Sequence, residues 1–143
     1  MSCSAASFNS ALVYPTLATG AALLVYSYQA MTVGEKRKQH RVKPPATTGH
    51  PEFERAFRAH QNTLESLAVF VPSVYAFSYL VSPRWAGIIG SVYAASRLAY
   101  GIAYVREADS RSYPFLGSFI AQNVLLLGAV GSALRLTYLH CRS

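Results

Sequence analysis

Arg58, Asn62 and Glu65 stand at positions i, i+4 and i+7 of the stretch PEFERAFRAHQNTLE that opens at Pro51. On an α-helix that spacing turns a guanidinium, an amide and a carboxylate to one face. Just after Glu65 the sequence becomes strongly apolar, so these groups sit at the edge of hydrocarbon. Polar groups there are costly unless they face a partner, a cavity or water. Such a set suits a polar ligand with both acidic and basic groups. Arg97, Tyr100 and Tyr104 form a second set at i, i+3 and i+7, and Arg111 follows one heptad later. A lone arginine and tyrosines near the end of a span can instead snorkel and form an interfacial belt. Both polar faces are expected at one membrane depth, which favours a shared site over that bland reading. His60 falls on a different face from Arg58 and Asn62, at the expected headgroup level. Glu65 has two protein alternatives, Arg58 on its own helix and Arg97 across helices. No serine–histidine–acid set, glycine-rich phosphate loop, paired-carboxylate arrangement or redox-cofactor motif is present in the sequence.

The elements that must hold these groups follow from where charge is missing. The 143 residues are 52% hydrophobic and only 13% charged, against about a quarter charged in ordinary soluble domains. No charge occurs from Met1 to Gly34, and further uncharged runs cover Ser66–Pro83, Trp85–Ser96 and Ser112–Leu134. A membrane helix needs about 17–25 mostly apolar residues. The first, second and fourth runs meet this, and the third does if it tolerates Arg97. The expected fold is all-α, an integral membrane four-helix bundle in a single domain over residues 1–143. Its spans are placed at roughly 9–31, 62–82, 84–105 and 113–139, with a basic loop over 34–58. The N-terminus lacks the basic region of a signal peptide, so its apolar stretch is read as a retained span. Cys3 and Cys141 lie near opposite ends, which argues against a disulfide framework or a metal cluster, and no metal is expected.

The net charge of +7 might suggest nucleic acid, but its placement argues otherwise. Lys36, Arg37, Lys38, Arg41, Lys43, Arg55 and Arg58 all fall between the first two spans, and Arg106 and Arg111 between the last two. Four spans put both connections on one side. By the positive-inside bias that side is cytosolic, with both termini opposite. Nucleic acid is therefore not an expected partner. The bilayer is.

Gly34 reads as the stop of the first helix, followed by a charged loop from Glu35 to Gly49 that Pro44-Pro45 keeps from continuing helically. Pro51 suits a first-turn position, with Glu52 and Glu54 favourable at a helix N-terminus. In the third span Gly87, Ser91, Ala95, Ala99 and Ala103 repeat at i+4, a stripe that lets another helix approach closely. Gln122 and Asn123 in the fourth span read as interhelical hydrogen-bonding amides.

Arg55–Glu65 (RAFRAHQNTLE) resembles the signature of the MAPEG family, membrane-associated proteins in eicosanoid and glutathione metabolism. The resemblance extends upstream through Pro44–Glu54 and continues in Ser96–Tyr104 and Arg111, covering nearly the whole chain. It is strongest to the microsomal glutathione S-transferases of types 2 and 3 and to leukotriene C synthase. It implies glutathione as co-substrate, a homotrimer with the ligand between protomers, and a lipophilic lipid or xenobiotic as second substrate. It also implies an endoplasmic reticulum membrane, with the nuclear envelope and outer mitochondrial membrane as alternatives. Carried across, Arg111 matches the arginine that stabilises the glutathione thiolate. Arg37, Arg58, Asn62, Glu65, Arg97, Tyr100 and Tyr104 become the glutathione ligands, and Lys38 and His60 are further candidates. In that pattern Tyr100 and Arg111 of one protomer meet Arg58 and Glu65 of its neighbour. Two positions depart from leukotriene C synthase. Lys38 replaces a second catalytic arginine, and Ser66 replaces a ligand tyrosine, which favours a broader transferase or peroxidase.

The residue types suit that ligand. Glutathione carries two carboxylates and an ammonium, so its site needs several cations and one carboxylate. Its nucleophile is the thiolate, which a neighbouring guanidinium favours. The implied activity is therefore glutathione transfer to lipophilic electrophiles and reduction of lipid hydroperoxides. The rivals are a non-catalytic lipid-binding member of the family, leukotriene C synthase proper, and a structural four-span protein. The last leaves both polar faces unexplained.

Overall fold

The computed structural model describes residues 9–106 and 112–142. Four helices follow in order: α1 (Ser10–Gln39), α2 (Pro51–Leu80), α3 (Pro83–Arg106) and α4 (Ser112–His140). All four are long and apolar enough to cross a membrane. The chain is a multi-pass membrane bundle. Thirty residues of helix rise about 45 Å, well beyond the roughly 30 Å of hydrocarbon, so helix ends project into the headgroup region.

α2 and α3 form the centre, each packing on the other and on both α1 and α4. Between them the rings of Phe70 and Tyr93 stack at 3.8 Å, with Val74, Leu125 and Ala22 buried around them. Leu24, Leu127 and Leu134 point outward and are about two-thirds exposed or more. Lipid tails are as apolar as leucine, so close approach and hydrogen bonds hold such a bundle rather than hydrophobic burial.

Local signals account for most boundaries. Asn9 Oδ1 accepts the Ala11 N–H at 3.1 Å to open α1. Pro51 occupies the first turn of α2 as expected, and His50 Nδ1 caps it by accepting the Glu52 N–H at 3.3 Å. Gly34, however, does not stop α1, which continues to Gln39. A Cβ at Gly34 would meet nothing, so its flexibility is not needed there. The break comes at Arg41, whose φ of 55° lies in the left-handed region. The N–H groups of Arg41 and Val42 return to the carbonyls of Lys38 and Arg37, a Schellman closure. The extra turn is held by the loop and by the first turn of α2. Lys36 Nζ pairs with Glu52 Oε2 at 2.6 Å, and Arg37 Nη1 donates to Ala46 O at 2.9 Å.

Within this chain only part of the small-residue stripe on α3 meets another helix. Gly87 packs on Tyr14, but Ser91, Ala95 and Ala99 face outward. The face packed within the chain runs through Ala86, Gly90, Ala94, Arg97 and Gly101. At Gly90 a Cβ would stand 2.6 Å from the Ala18 Cβ on α1, an atom that cannot swing aside. Alanine gains about 1 kcal/mol of helix propensity over glycine. Overpacking a tight contact costs about 1–3 kcal/mol, and here it wins. Gly90→Ala should lower the unfolding midpoint of the detergent-solubilised protein, and an unchanged or raised midpoint would contradict this α1–α3 contact.

Candidate functional site

Asn62, on α2, donates from Nδ2 to the Tyr100 hydroxyl on α3 at 2.8 Å. The two polar faces therefore meet within one chain. Tyr104 lies beside Tyr100, ring centroids 5.6 Å apart, and both are buried with Ala59.

Arg97 is the central group. It is buried within the bundle, only 4% exposed, rather than turned outward as snorkelling requires. Its guanidinium lies over three rings, 5.3 Å from Tyr100, 5.7 Å from Tyr93 and 5.9 Å from Phe115. Its Nε and Nη1 are buried and have no hydrogen-bond partner among the described residues. Ring faces attract a cation but accept no directed N–H bond comparable to that of a carboxylate. A buried guanidinium with free donors in a membrane is strongly unfavourable alone. An anion there would relieve it.

Arg58 and Glu65 are exposed on the outer side of α2, with Asn62 half-buried between them. Gln61 donates to Glu65 Oε1 at a long 3.4 Å. Neither Arg58 nor Arg97 forms an ion pair with Glu65 among the described residues, so both protein alternatives for Glu65 are unoccupied there. The arrangement is a graded edge: a buried cation, an amide and phenol at the lip, then a cation and a carboxylate outside. It can hold a ligand that is anionic at one end and zwitterionic at the other.

Three other candidates sit elsewhere. Arg37 bonds the loop carbonyl of Ala46 and lies 4.6 Å over the Phe53 ring. Phe53 precedes Asn62 by nine residues, about 13 Å of helix rise. The chain itself therefore does not bring Arg37 to the Asn62–Tyr100 pair. Lys38 is exposed near the same helix end. The His60 ring stacks on Tyr26 of α1 at 4.3 Å with Nε2 buried. Arg111 lies outside the described residues.

Further polar residues link the helices around Arg97. Tyr93 donates to Ser66 Oγ at 2.8 Å, and Ser66 donates to Gln122 Oε1 at 2.6 Å. This ladder ties α3, α2 and α4 together beneath Arg97, and Gln122 acts as the expected interhelical amide. Asn123 instead bonds its own helix at Phe119 O. Gln29 of α1 donates to Arg97 O at 3.2 Å, and Arg55 Nε donates to Val105 O at 3.1 Å near the end of α3. Serine and glutamine within apolar runs were the available signal, but their partners lie 56 residues apart in sequence. His40, His50 and Glu52 bring ligand atoms within 4.8 Å of one another. Lys36 already holds Glu52, and Arg37, Lys38 and Arg41 follow it in sequence, so local charge works against a cation.

The MAPEG family model matches residues 15–131. The chain belongs to the MAPEG family. Three relatives show where within it the sequence lies. Uncharacterized protein sll1147 of Synechocystis sp. is 37% identical over 123 residues, 86% of this chain and 90% of that protein. Microsomal glutathione S-transferase 2 of Homo sapiens is 39% identical over 108 residues, 75% of this chain and 74% of the relative. Leukotriene C4 synthase of Cavia porcellus is 36% identical over 104 residues, 73% and 69% respectively. This MAPEG chain is thus related to enzymes named for glutathione transfer and for leukotriene synthesis.

Proposed function

We propose that this MAPEG protein is a glutathione-dependent transferase and peroxidase for lipophilic substrates, resident as a trimer in an endoplasmic-reticulum-type membrane. The observation that carries the reading is Arg97: a buried guanidinium with free donors, next to Asn62 and Tyr100, calls for an anionic ligand. Glutathione supplies carboxylates for Arg97 and Arg58 and an ammonium for Glu65. The named relatives support that choice.

Arg111 faces the sulfur in this reading and stabilises the thiolate. In transfer the thiolate forms a C–S bond to an electrophilic carbon, and the bond to the leaving group or the strained ring breaks. In peroxide reduction it attacks the terminal oxygen, the O–O bond breaks, and the alkoxide leaves as the alcohol after protonation, with glutathione sulfenic acid formed. A second glutathione thiol then converts the sulfenic acid to disulfide and water. The lipophilic partner reaches the sulfur from the bilayer. Arg58 and Glu65 stand on an exposed edge, which leaves room for a neighbouring protomer to close the site.

Glutathione-dependent turnover of a model electrophile and a lipid hydroperoxide by purified protein tests this directly. Turnover of either supports the reading, and inactivity toward both overturns it. The orientation has its own test. In a background lacking Cys3 and Cys141, a cysteine at Lys43 should label from the cytosolic side of sealed microsomes with an impermeant reagent, and one at Ser82 should not. The reverse pattern would put the site on the lumenal side.

A further inference from the structure

We infer that the cavity between the C-terminal halves of α1 and α3 is a binding site for a neutral lipid that carries a free hydroxyl group. It holds about 160 Å³ and is walled by Gln29 and Thr32 of α1, Ala56 and Ala59 of α2, and Gly101 and Val105 of α3. Gln29 decides its chemistry. The residue is only 4% exposed, and its Nε2 donates to Arg97 O at 3.2 Å. A carbonyl can only accept, so this bond fixes which end of the amide is the oxygen. Oε1 is buried and has no hydrogen-bond partner among the described residues. Thr32 uses its hydroxyl proton on Tyr28 O at 3.1 Å, so toward the cavity it too can only accept. Gly101 makes the room, because a Cβ there would stand 2.5 Å from Gln29 Nε2. The missing partner is therefore a donor, and an anion would meet two oxygens.

The setting selects a lipid. Gln29 lies ten residues before the end of α1, about 15 Å of helix rise, so the cavity sits at the depth of hydrocarbon. A carbonyl without a partner is costly there. A single water fills only about 30 Å³ and would leave the rest against Ala56, Ala59 and Val105, and apolar space of that kind stays dry. An alcohol answers both needs: its O–H meets Oε1, and its carbon atoms fill the apolar remainder. Tyr28 and Ile102 flank the mouth. Arg106 also lines it, but stands exposed at the end of α3, five residues beyond Gly101. At about 100° per residue, Tyr28 and Thr32 turn to one side of Gln29 and Arg37 to the other. The cavity thus opens on the side of α1 away from the ligand implied between protomers.

The test uses the full chain in detergent, with bound lipid counted by native mass spectrometry. Dioleoylglycerol competes against its O-methyl ether, which keeps the acyl chains and the oxygen but cannot donate. The wild type should retain the alcohol about tenfold better, since the ether leaves Oε1 unpaired. Gln29→Met keeps the length of the side chain without its oxygen and should hold both lipids equally. Ala56→Leu fills the cavity, leaves the amide in place, and should lose the preference by shutting both lipids out. Equal retention by the wild type would mean that water satisfies Oε1, and would overturn the inference. A preference that survives in Gln29→Met or in Ala56→Leu would place the hydroxyl elsewhere and overturn it equally. The measurement contains no glutathione, so its outcome is separate from that of the proposed activity.

Discussion

Arg97→Met should make the ligand-free protein more stable while weakening glutathione binding about a hundredfold. The two effects have opposite signs because the guanidinium serves different states. Without ligand it is buried with unpaired donors, and replacing a poorly compensated buried ion by an apolar side chain of similar size is often neutral or stabilising by about 1–4 kcal/mol. With glutathione bound it gains charge-assisted hydrogen bonds, each worth about 1.5–3 kcal/mol. Two such bonds correspond to roughly a hundredfold or more in affinity. Arg97→Lys restores charge but not the planar fork, so it should recover only part of the binding. Thermal unfolding without ligand and a glutathione titration check both halves. A destabilised Arg97→Met protein with unchanged affinity would make Arg97 a packing residue.

Arg111→Ala should reduce turnover at neutral pH by about a hundredfold, the scale seen when one preorganised electrostatic donor is lost from a reacting centre. Glutathione affinity should change far less, because the lost contact is with the reacting sulfur. The pH profile gives the sign. An ordinary thiol has a pKa of about 8.5, and an adjacent guanidinium lowers it. Below the lowered value both proteins hold mostly thiol. Between the two values the wild type holds thiolate and the variant does not, so the deficit is largest near neutrality. Above the ordinary value both are ionised and the variant should recover much of its rate. A deficit constant with pH would remove Arg111 from thiolate stabilisation, and no deficit would remove it from the mechanism.

The spans were legible because hydrocarbon tolerates so few charges that four uncharged runs can be counted directly. Helix phase was less legible. The third span has small residues on two adjoining faces, and the sequence alone could not say whether Gly87–Ala103 or Ala86–Gly101 turns inward. The helix-one end was misplaced because Gly34 is a local signal, whereas Lys36 and Arg37 are held by Glu52 and Ala46 across the loop. That Tyr100 and Tyr104 share one helix face, and Asn62 a polar face of its own helix, was legible from spacing alone, since a shared helix face needs no tertiary knowledge. The burial of Arg97 was not, because an arginine near a helix end can snorkel outward. Only the packing of Tyr93, Tyr100 and Phe115 around it decides the matter. Gln122 was legible as an interhelical amide, but its link through Ser66 to Tyr93 was not, for the same reason.

The central claim is that this edge of the bundle binds glutathione, and calorimetric titration of the purified trimeric or monomeric protein with glutathione tests it most directly. The account predicts saturable binding that weakens about tenfold in Glu65→Gln, where the carboxylate facing the ammonium is lost, and also weakens in Asn62→Ala. Saturable binding that is unchanged in both variants, or no binding by the wild-type protein, would contradict it.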